Sequence, residues 1–481
     1  MNLSRVQFQS VTQDSRKAGP GTVFFAIEGS SRDGHLFVER ALEAGAPAAV
    51  IRASHPLAAS LLAKWPGRCV AVVDTRRSLG ETAARVCGDP SAKLLVCGVT
   101  GTNGKTTSSY LIEGILKEWG KHPALIGTVE TRFGETKFES ALTTPDAISL
   151  QDLFKTFLAL GAESVAMEVS SHALDQQRVR GTRFAAVLFT NLTQDHLDYH
   201  LTMENYFEAK ARLFFEYDVG VRVIHADGVF GSRLLEGCKG AGLPAIAFGA
   251  RGCEISYLEE GGLTAGHAGI FGTIGVRTAC GPTRLRIRSP LLGAFNMQNI
   301  AGAAAVGVGL GVPLDVIGRA IASVTAVPGR LERVHNSKGL TVLVDYAHTP
   351  DALKKVLQTL KPLCRGKLVC VFGCGGDRDP GKRPLMGAIA EELADSVIVT
   401  SDNPRTEAPR KIIDDILRGM KTRPVVIEDR AAAITEAVRG MAPEDILLLA
   451  GKGHEDHQII GTHKIAFDDR AIASQIIDNL Q

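Results

Sequence analysis

The chain of 481 residues has almost no net charge, because 54 Lys and Arg stand against 52 Asp and Glu. Such a balance supplies no broad attraction to nucleic acid or to an anionic membrane, so any anionic ligand must be gripped locally. The sequence also lacks C-x-x-C pairs. Its nine cysteines, at 69, 87, 97, 238, 253, 280, 364, 370 and 374, are odd in number and have no zinc-site spacing, which fits a reducing compartment. No uncharged apolar run approaches the roughly 20 residues of a membrane span, and the opening MNLSRVQFQSVTQDSR has no signal-peptide core. A cytoplasmic protein with no nucleic-acid partner and no membrane insertion is expected. Repeats, low-complexity tracts and heptad seams are missing too.

What is present, 45% hydrophobic and 22% charged residues, is the balance of a soluble enzyme too long for one ordinary core. Residues 1–88 read as a small α/β domain, with strands at Thr22–Ala26, Ala48–Ile51 and Cys69–Val73 and a helical stretch at Leu36–Ala44. The turn cluster Cys87–Ser91 and the apolar strand Leu94–Val99 open a second domain, 89–328. There, strands at Ser164–Val169, Ala185–Thr190 and Val221–His225 alternate with helical stretches at Thr106–Trp119, Ile148–Leu160 and Met203–Phe215, which predicts a doubly wound parallel sheet. After Val327-Pro328-Gly329 the rhythm restarts, with strands at Thr341–Val344, Leu368–Phe372, Ser396–Thr400, Val425–Ile427 and Ile446–Leu449. A Rossmann-like third domain, 329–481, is expected. The Ala/Gly-rich Ile300–Gly311 reads as a closely packed helix and its end, not a linker.

The strongest local signal is LLVCGVTGTNGKTT, residues 94–107, a buried strand running through a glycine loop into a helix. Gly101 and Gly104 let backbone N–H groups converge on phosphate oxygens, Lys105 can neutralise β/γ charge, and the Thr106 hydroxyl can coordinate Mg²⁺. The G-x-x-x-x-G-K-[ST] pattern is not met in full, since Val99 stands where its first glycine belongs and Gly98 comes one position early. A mere βα turn would not ask for Lys-Thr at the helix start.

TGTNGKTT resembles the nucleotide loop of the Mur ligase family, which includes folylpolyglutamate synthetases. The resemblance implies a three-domain α/β fold: a UDP-sugar-binding first domain, a central P-loop ATPase-like domain binding ATP through Gly101, Thr102, Asn103, Gly104, Lys105, Thr106 and Thr107, and a C-terminal amino-acid-binding domain. MEVSSH (167–172) and NLTQDHLD (191–198), each after a predicted strand, resemble the family's metal-site segments, so that Glu168 and His196 join Thr106 in holding Mg²⁺. His196 and Asp198 could also simply cap a helix. Lys210, in YFEAKARLF, matches the family's N-carbamylated lysine, N6-carboxylysine, a further metal ligand. From the residues alone it would be a solvated helix-face lysine. GAFNMQN (293–299) resembles the nucleotide-contact helix start, with Asn299 near adenine, although Asn296 could equally be a plain N-cap. Arg330, Asp345 and His348 fall in segments that resemble those closing over ATP.

The first-domain segments DSR (14–16) and DGH (33–35) resemble UDP-binding elements and nominate Ser15. Thr143, Thr144, Ser170, Gln176 and Arg178 match positions that hold a UDP-muramoyl dipeptide. DNPR (402–405) resembles the diaminopimelate-selecting form of its motif, with Arg378, Asp402, Asn403, Pro404, Arg405, Gly451 and Glu455 as contacts. Taken alone, it could be an Asx-Pro turn. The implied reaction is ATP-dependent addition of meso-2,6-diaminopimelate to UDP-N-acetylmuramoyl-L-alanyl-D-glutamate, in peptidoglycan synthesis, through an acyl phosphate, by a monomer. Lys105, Glu168, His196 and Lys210 are its expected catalytic groups. A nucleotide-gated binding protein, hydrolysing ATP without amino-acid dependence, is the competing class.

Overall fold

Alternation along Thr22–Phe25 builds the first sheet: Val23 and Phe25 point to one core with Val50, Val70 and Leu79, while Phe24 and Ala26 point to the other with Val38, Leu42 and Ile51. The structure is a computed structural model, and it describes residues 3, 6–29, 32–140, 142–278 and 281–480. The first sheet has four parallel strands in the order Ser10–Thr12, Thr22–Phe25, Ala49–Arg52, Cys69–Val72. Helices Ala58–Lys64 and Thr75–Val86 were not foreseen, although Asp74 is a readable N-cap for the second, its carboxylate accepting from the Arg76 and Arg77 N–H groups.

The chain divides into two compact units: Met1–Glu260 with Ile274–Leu285 and Gln298–Ala320, and Gly261–Thr273 with Arg286–Met297 and Ile321–Gln481. In the first unit the small sheet is joined to a larger one. Here helix Thr75–Val86 approaches a loop so closely that a Cβ on Gly80 would stand 2.7 Å from the Arg180 carbonyl oxygen. The centre of the larger sheet runs Ile246–Gly249, Val219–His225, Phe184–Phe189, Leu95–Thr100, Ser164–Glu168, Pro123–Ile126, with these neighbours parallel, and antiparallel strands extend it at both ends. Its strands are apolar because both faces are covered, as in any doubly wound sheet. Pro123–Ile126 went unread because it is short and starts with proline. Ile300–Gly311 lies mostly in helix Phe295–Gly309, with Ala301, Ala303, Ala304 and Ala305 fully buried.

The second unit contains a sheet ordered Glu332–Arg333, Thr341–Asp345, Ile446–Ala450, Leu368–Phe372, Ser396–Val399, Val425–Val426, parallel except for the first strand. Placing Ile446–Ala450 between Thr341–Asp345 and Leu368–Phe372 aligns their carboxyl ends, where open α/β sheets bind ligands. A hairpin, His457–Ile460 with His463–Ala466, follows and was not foreseen. Among the described residues, no helix is long and apolar enough to cross a membrane.

Candidate active site

Strand Leu95–Thr100 ends at the glycine loop, and helix Lys105–Glu118 starts directly after it. Gly101 has φ +150 and Gly104 has φ +85, and an added Cβ would overlap Thr190 Oγ1 at the first and Asn299 Oδ1 at the second. Asn299 therefore lies against the loop itself. Two ammonium groups converge on one carbonyl oxygen: Lys105 Nζ donates to Gly101 O at 3.0 Å and to Thr102 O at 2.9 Å, and Lys210 Nζ donates to Gly101 O at 2.8 Å. Lys210 is 1% exposed, which removes the solvated-lysine alternative. Burial, followed by the Lys105 charge, holds its amine well below the usual lysine range, with Asp195 opposing.

Glu168 ends strand Ser164–Glu168, in register with Val99 of the loop strand, and is itself 1% exposed. Its Oε1 accepts from Thr128 N at 2.9 Å and its Oε2 from Thr128 Oγ1 at 3.1 Å. His196 precedes helix Leu197–His200 in a left-handed conformation and makes no side-chain cap bond, so capping is not its role. Its ring meets His172 edge-on at 4.9 Å, and burial lowers its pKa, opposed by the Asp195 charge and aided by Lys105. Burial beside His196 and His200 pulls His172 down to about 4.

One hydrogen-bonded chain joins the dipeptide candidates to Glu168. Thr128 Oγ1 meets Thr143 Oγ1 at 3.0 Å; Thr144 Oγ1 donates to Glu168 O at 2.9 Å and accepts from Ser170 N at 3.1 Å. Arg178 donates to Thr144 O at 3.2 Å and to Gln176 Oε1 at 2.7 Å. Gln176 and Arg178 line a cavity of about 290 Å³ with Gln13, Arg76, Leu142 and Asp146. Ser15 stands apart in the turn Ser15–Lys17, although Gln13, two residues earlier, lines that cavity. Thr128 and Arg76 were missed, Thr128 because it follows the unread strand.

Among the described residues, the one trio of His, Cys, Asp or Glu close enough to share a metal is Glu28, His35 and His55. Its imidazole nitrogens are engaged otherwise, His35 with Asp33 and Arg52 N, His55 with Asp33 and Leu57 N. That trio is a hydrogen-bonded framework. Glu168, in register with the loop strand, offers carboxylate oxygens beside the phosphate cradle, which is chemistry that suits Mg²⁺.

In the second unit, Arg330 lies over the Tyr346 ring at 5.2 Å, Asp345 Oδ2 accepts from Leu331 N at 2.8 Å, and His348 Nδ1 meets Tyr346 O at 2.8 Å. The three nucleotide candidates thus gather around one tyrosine. Burial pushes the Asp345 carboxyl up to about 6, with Arg330 opposing. Asn296 donates to Leu292 O at 2.7 Å, using its amide nitrogen where an N-cap would use its oxygen.

Asp402, Asn403 and Pro404 are buried beyond the carboxyl end of Ser396–Val399, and Arg405 is half-buried. Arg405 is left-handed with φ 50, a conformation uncommon outside glycine, and is pinned on both sides. Its N–H donates to Ile459 O at 3.1 Å, its carbonyl accepts from Gly461 N at 2.7 Å, and its Nη1 donates to Gly376 O at 2.8 Å. The hairpin therefore clamps the motif. Asp402 lies against Gly451, and Asn403 Nδ2 donates to Glu455 Oε2 at 2.8 Å. Arg378 is exposed on the loop after Leu368–Phe372.

Comparison with known proteins gives a consistent picture. Residues 7–86 match the model for the Mur ligase family catalytic domain, 99–307 that for the Mur ligase middle domain, and 329–453 that for the Mur ligase glutamate ligase domain. The UDP-N-acetylmuramoyl-L-alanyl-D-glutamate–2,6-diaminopimelate ligase of Aquifex aeolicus is 44% identical, over 99% of this chain and 95% of that one. Its counterpart in Geobacter sulfurreducens is 44% identical, over 95% and 92%. A solved structure of a ligase of that name is 33% identical with a TM-score of 0.71, covering 98% of this chain and 95% of its own. MurF from Acinetobacter baumannii, 19% identical with a TM-score of 0.60 over 92% of this chain and 89% of that one, shares the fold.

Proposed function

The chain belongs to the Mur ligase family, and from that premise we propose that it adds meso-2,6-diaminopimelate to UDP-N-acetylmuramoyl-L-alanyl-D-glutamate in peptidoglycan synthesis. It is an ATP-dependent ligase that forms a peptide bond. Three functional domains, 1–88, 89–328 and 329–481, divide the work between nucleotide sugar, ATP and amino acid. The enzyme acts in the cytoplasm as a monomer, since one chain carries residues for all three substrates.

The D-glutamate side-chain carboxylate attacks the γ-phosphate of ATP, ADP leaves, and the amine of diaminopimelate then displaces phosphate from the acyl phosphate. Two anions must meet in the first step, so cations at the loop decide its rate. Lys105, now on Gly101 O and Thr102 O, is positioned to shift to β/γ oxygens arriving at the same loop. Thr143, Thr144, Ser170, Gln176 and Arg178 hold the muramoyl dipeptide, Arg178 matching its anionic character. Thr106, Glu168, His196 and the carbamate of Lys210 would hold Mg²⁺, which screens phosphate charge when bound. Arg330, Asp345, His348 and Asn299 serve the nucleotide. On the amino-acid side, Arg405 grips the distal carboxylate and Glu455 takes the distal ammonium, with Arg378, Asp402, Asn403, Pro404 and Gly451 around them.

The observation that carries the amino-acid assignment is DNPR itself, its first three residues buried and Arg405 clamped at a strand's carboxyl end. Phosphate release, measured with each substrate omitted in turn, tests the whole reading. Release is expected only with ATP, dipeptide and amino acid together. Equal ATPase without the dipeptide or the amino acid would leave a nucleotide-gated binding protein.

The carbamate has its own test. The neutral Lys210 amine attacks the CO₂ carbon, an N–C bond forms as one C=O π bond opens to leave a carboxylate, and the nitrogen loses a proton to solvent. Lys210→Ala is expected to lose about 10- to 100-fold in kcat, as for loss of a metal-site partner, and to recover in part with added acetate. Near-normal activity without additive would end the carbamate role.

A further inference from the structure

Lys452 follows the buried strand Ile446–Ala450 and has a fully buried ammonium, with 0% of the side chain exposed. Nζ donates to Glu455 Oε2 at 2.9 Å, to Asn403 Oδ1 at 3.2 Å and to His457 O at 2.6 Å. Asn403 Nδ2 meets the same Glu455 oxygen at 2.8 Å, so Oε1 is the oxygen left for a substrate ammonium. A buried cation needs a carboxylate partner, and Glu455 is that partner. The negative charge of Glu455 is therefore already matched before any amino acid arrives.

The charge count around the amino-acid position follows from the named residues. Arg405 and Lys452 are cations and Asp402 and Glu455 are anions, so these four balance, while Arg378 is exposed and screened by water. Arg430 does not alter the count, because Asp469 matches it at 2.6 Å and both are fully buried. The distal end of diaminopimelate carries a carboxylate and an ammonium and is neutral overall. The distal end of L-lysine is a bare cation. With Glu455 already paired to Lys452, the site can hold the first as a neutral pair, whereas the ammonium of the second finds that carboxylate already matched.

We propose that Lys452 is a specificity-determining residue that excludes amino acids with a cationic distal end by neutralising Glu455. The proposal rests on the diaminopimelate reading above. Arg405 attracts the correct substrate, and Lys452 withholds from the wrong one the carboxylate that its ammonium would need.

Steady-state assays with diaminopimelate and with L-lysine test it, on wild type, Lys452→Met, Lys452→Gln and Lys452→Arg. In the two neutral variants the ratio of kcat/KM for diaminopimelate to that for lysine is expected to fall by about tenfold or more, chiefly because lysine activity rises. Lys452→Arg keeps the charge and should keep the ratio. A ratio unchanged in both neutral variants, with the two activities falling together, would make Lys452 a structural support only. Competition on the wild type reads the same point should the neutral variants not fold: L-norleucine, lacking the cation, should inhibit diaminopimelate use more strongly than L-lysine, and the reverse order would overturn the proposal. Failure of the function reading looks different, because wild type would then prefer lysine from the outset.

Discussion

Lys105→Met should lower kcat by about 10²- to 10³-fold, the cost of removing one preorganised cation or donor from a site where negative charge gathers. Methionine keeps the length and the helix propensity, and helix Lys105–Glu118 is held by buried Leu111, Ile112, Ile115 and Leu116, so the fold should survive. The KM for diaminopimelate should hardly move, since Lys105 belongs to the loop and not to the amino-acid site. The effect should fall on the phosphoryl step, so a single-turnover measurement of acyl phosphate formation should slow as much as kcat does. A kcat within about threefold of wild type would mean that the loop does not hold the γ-phosphate through this side chain.

The second large effect is expected at Arg405. Diaminopimelate has a second carboxylate where lysine ends in CH₂-NH₃⁺, and with lysine bound the guanidinium would lack that partner. Losing one partner of such a charge pair costs roughly 2 to 5 kcal/mol, which is on the order of 30-fold to several thousand-fold in kcat/KM. Arg405→Ala should therefore lose most diaminopimelate activity while changing the low lysine activity little. Alanine meets the same left-handed backbone that arginine does, so the substitution tests the side chain. Parallel assays with both amino acids decide: an equal fall for both would reduce DNPR to a structural turn, with the family assignment untouched.

Much of this was readable from residue order. The phosphate loop announced itself through Lys105 and Thr106 at a helix start, and the buried strands through unbroken apolar runs such as Leu368–Phe372. Lys210 was misread from the residues as a solvated lysine, although it stands three residues after Phe207 and four before Phe214, on the apolar face of a helix that buries all three. Other features gave no local signal. Thr128 reaches Glu168 across 40 residues of sequence, and only the register of Pro123–Ile126 with Ser164–Glu168 brings them together. The hairpin after Glu455 was hidden because HQIIGTHKIA is short and half-exposed, and its effect lies in backbone bonds to Arg405.

If the cavity takes the nucleotide sugar as proposed, the close seat of Gly80 on the Arg180 backbone bears on how fast that ligand is captured. Arg76 is carried by the same helix as Gly80, and Arg178 by the segment that ends in Arg180, so this close approach helps to hold the two arginines that line the cavity in one frame. A cavity with walls set in advance needs no assembly when the ligand arrives, so little ordering entropy is lost on binding. Capture then behaves as docking into a rigid mould, limited by encounter and orientation. A bulky residue at position 80 would spread the two walls and tax every association event while leaving each contact residue in place.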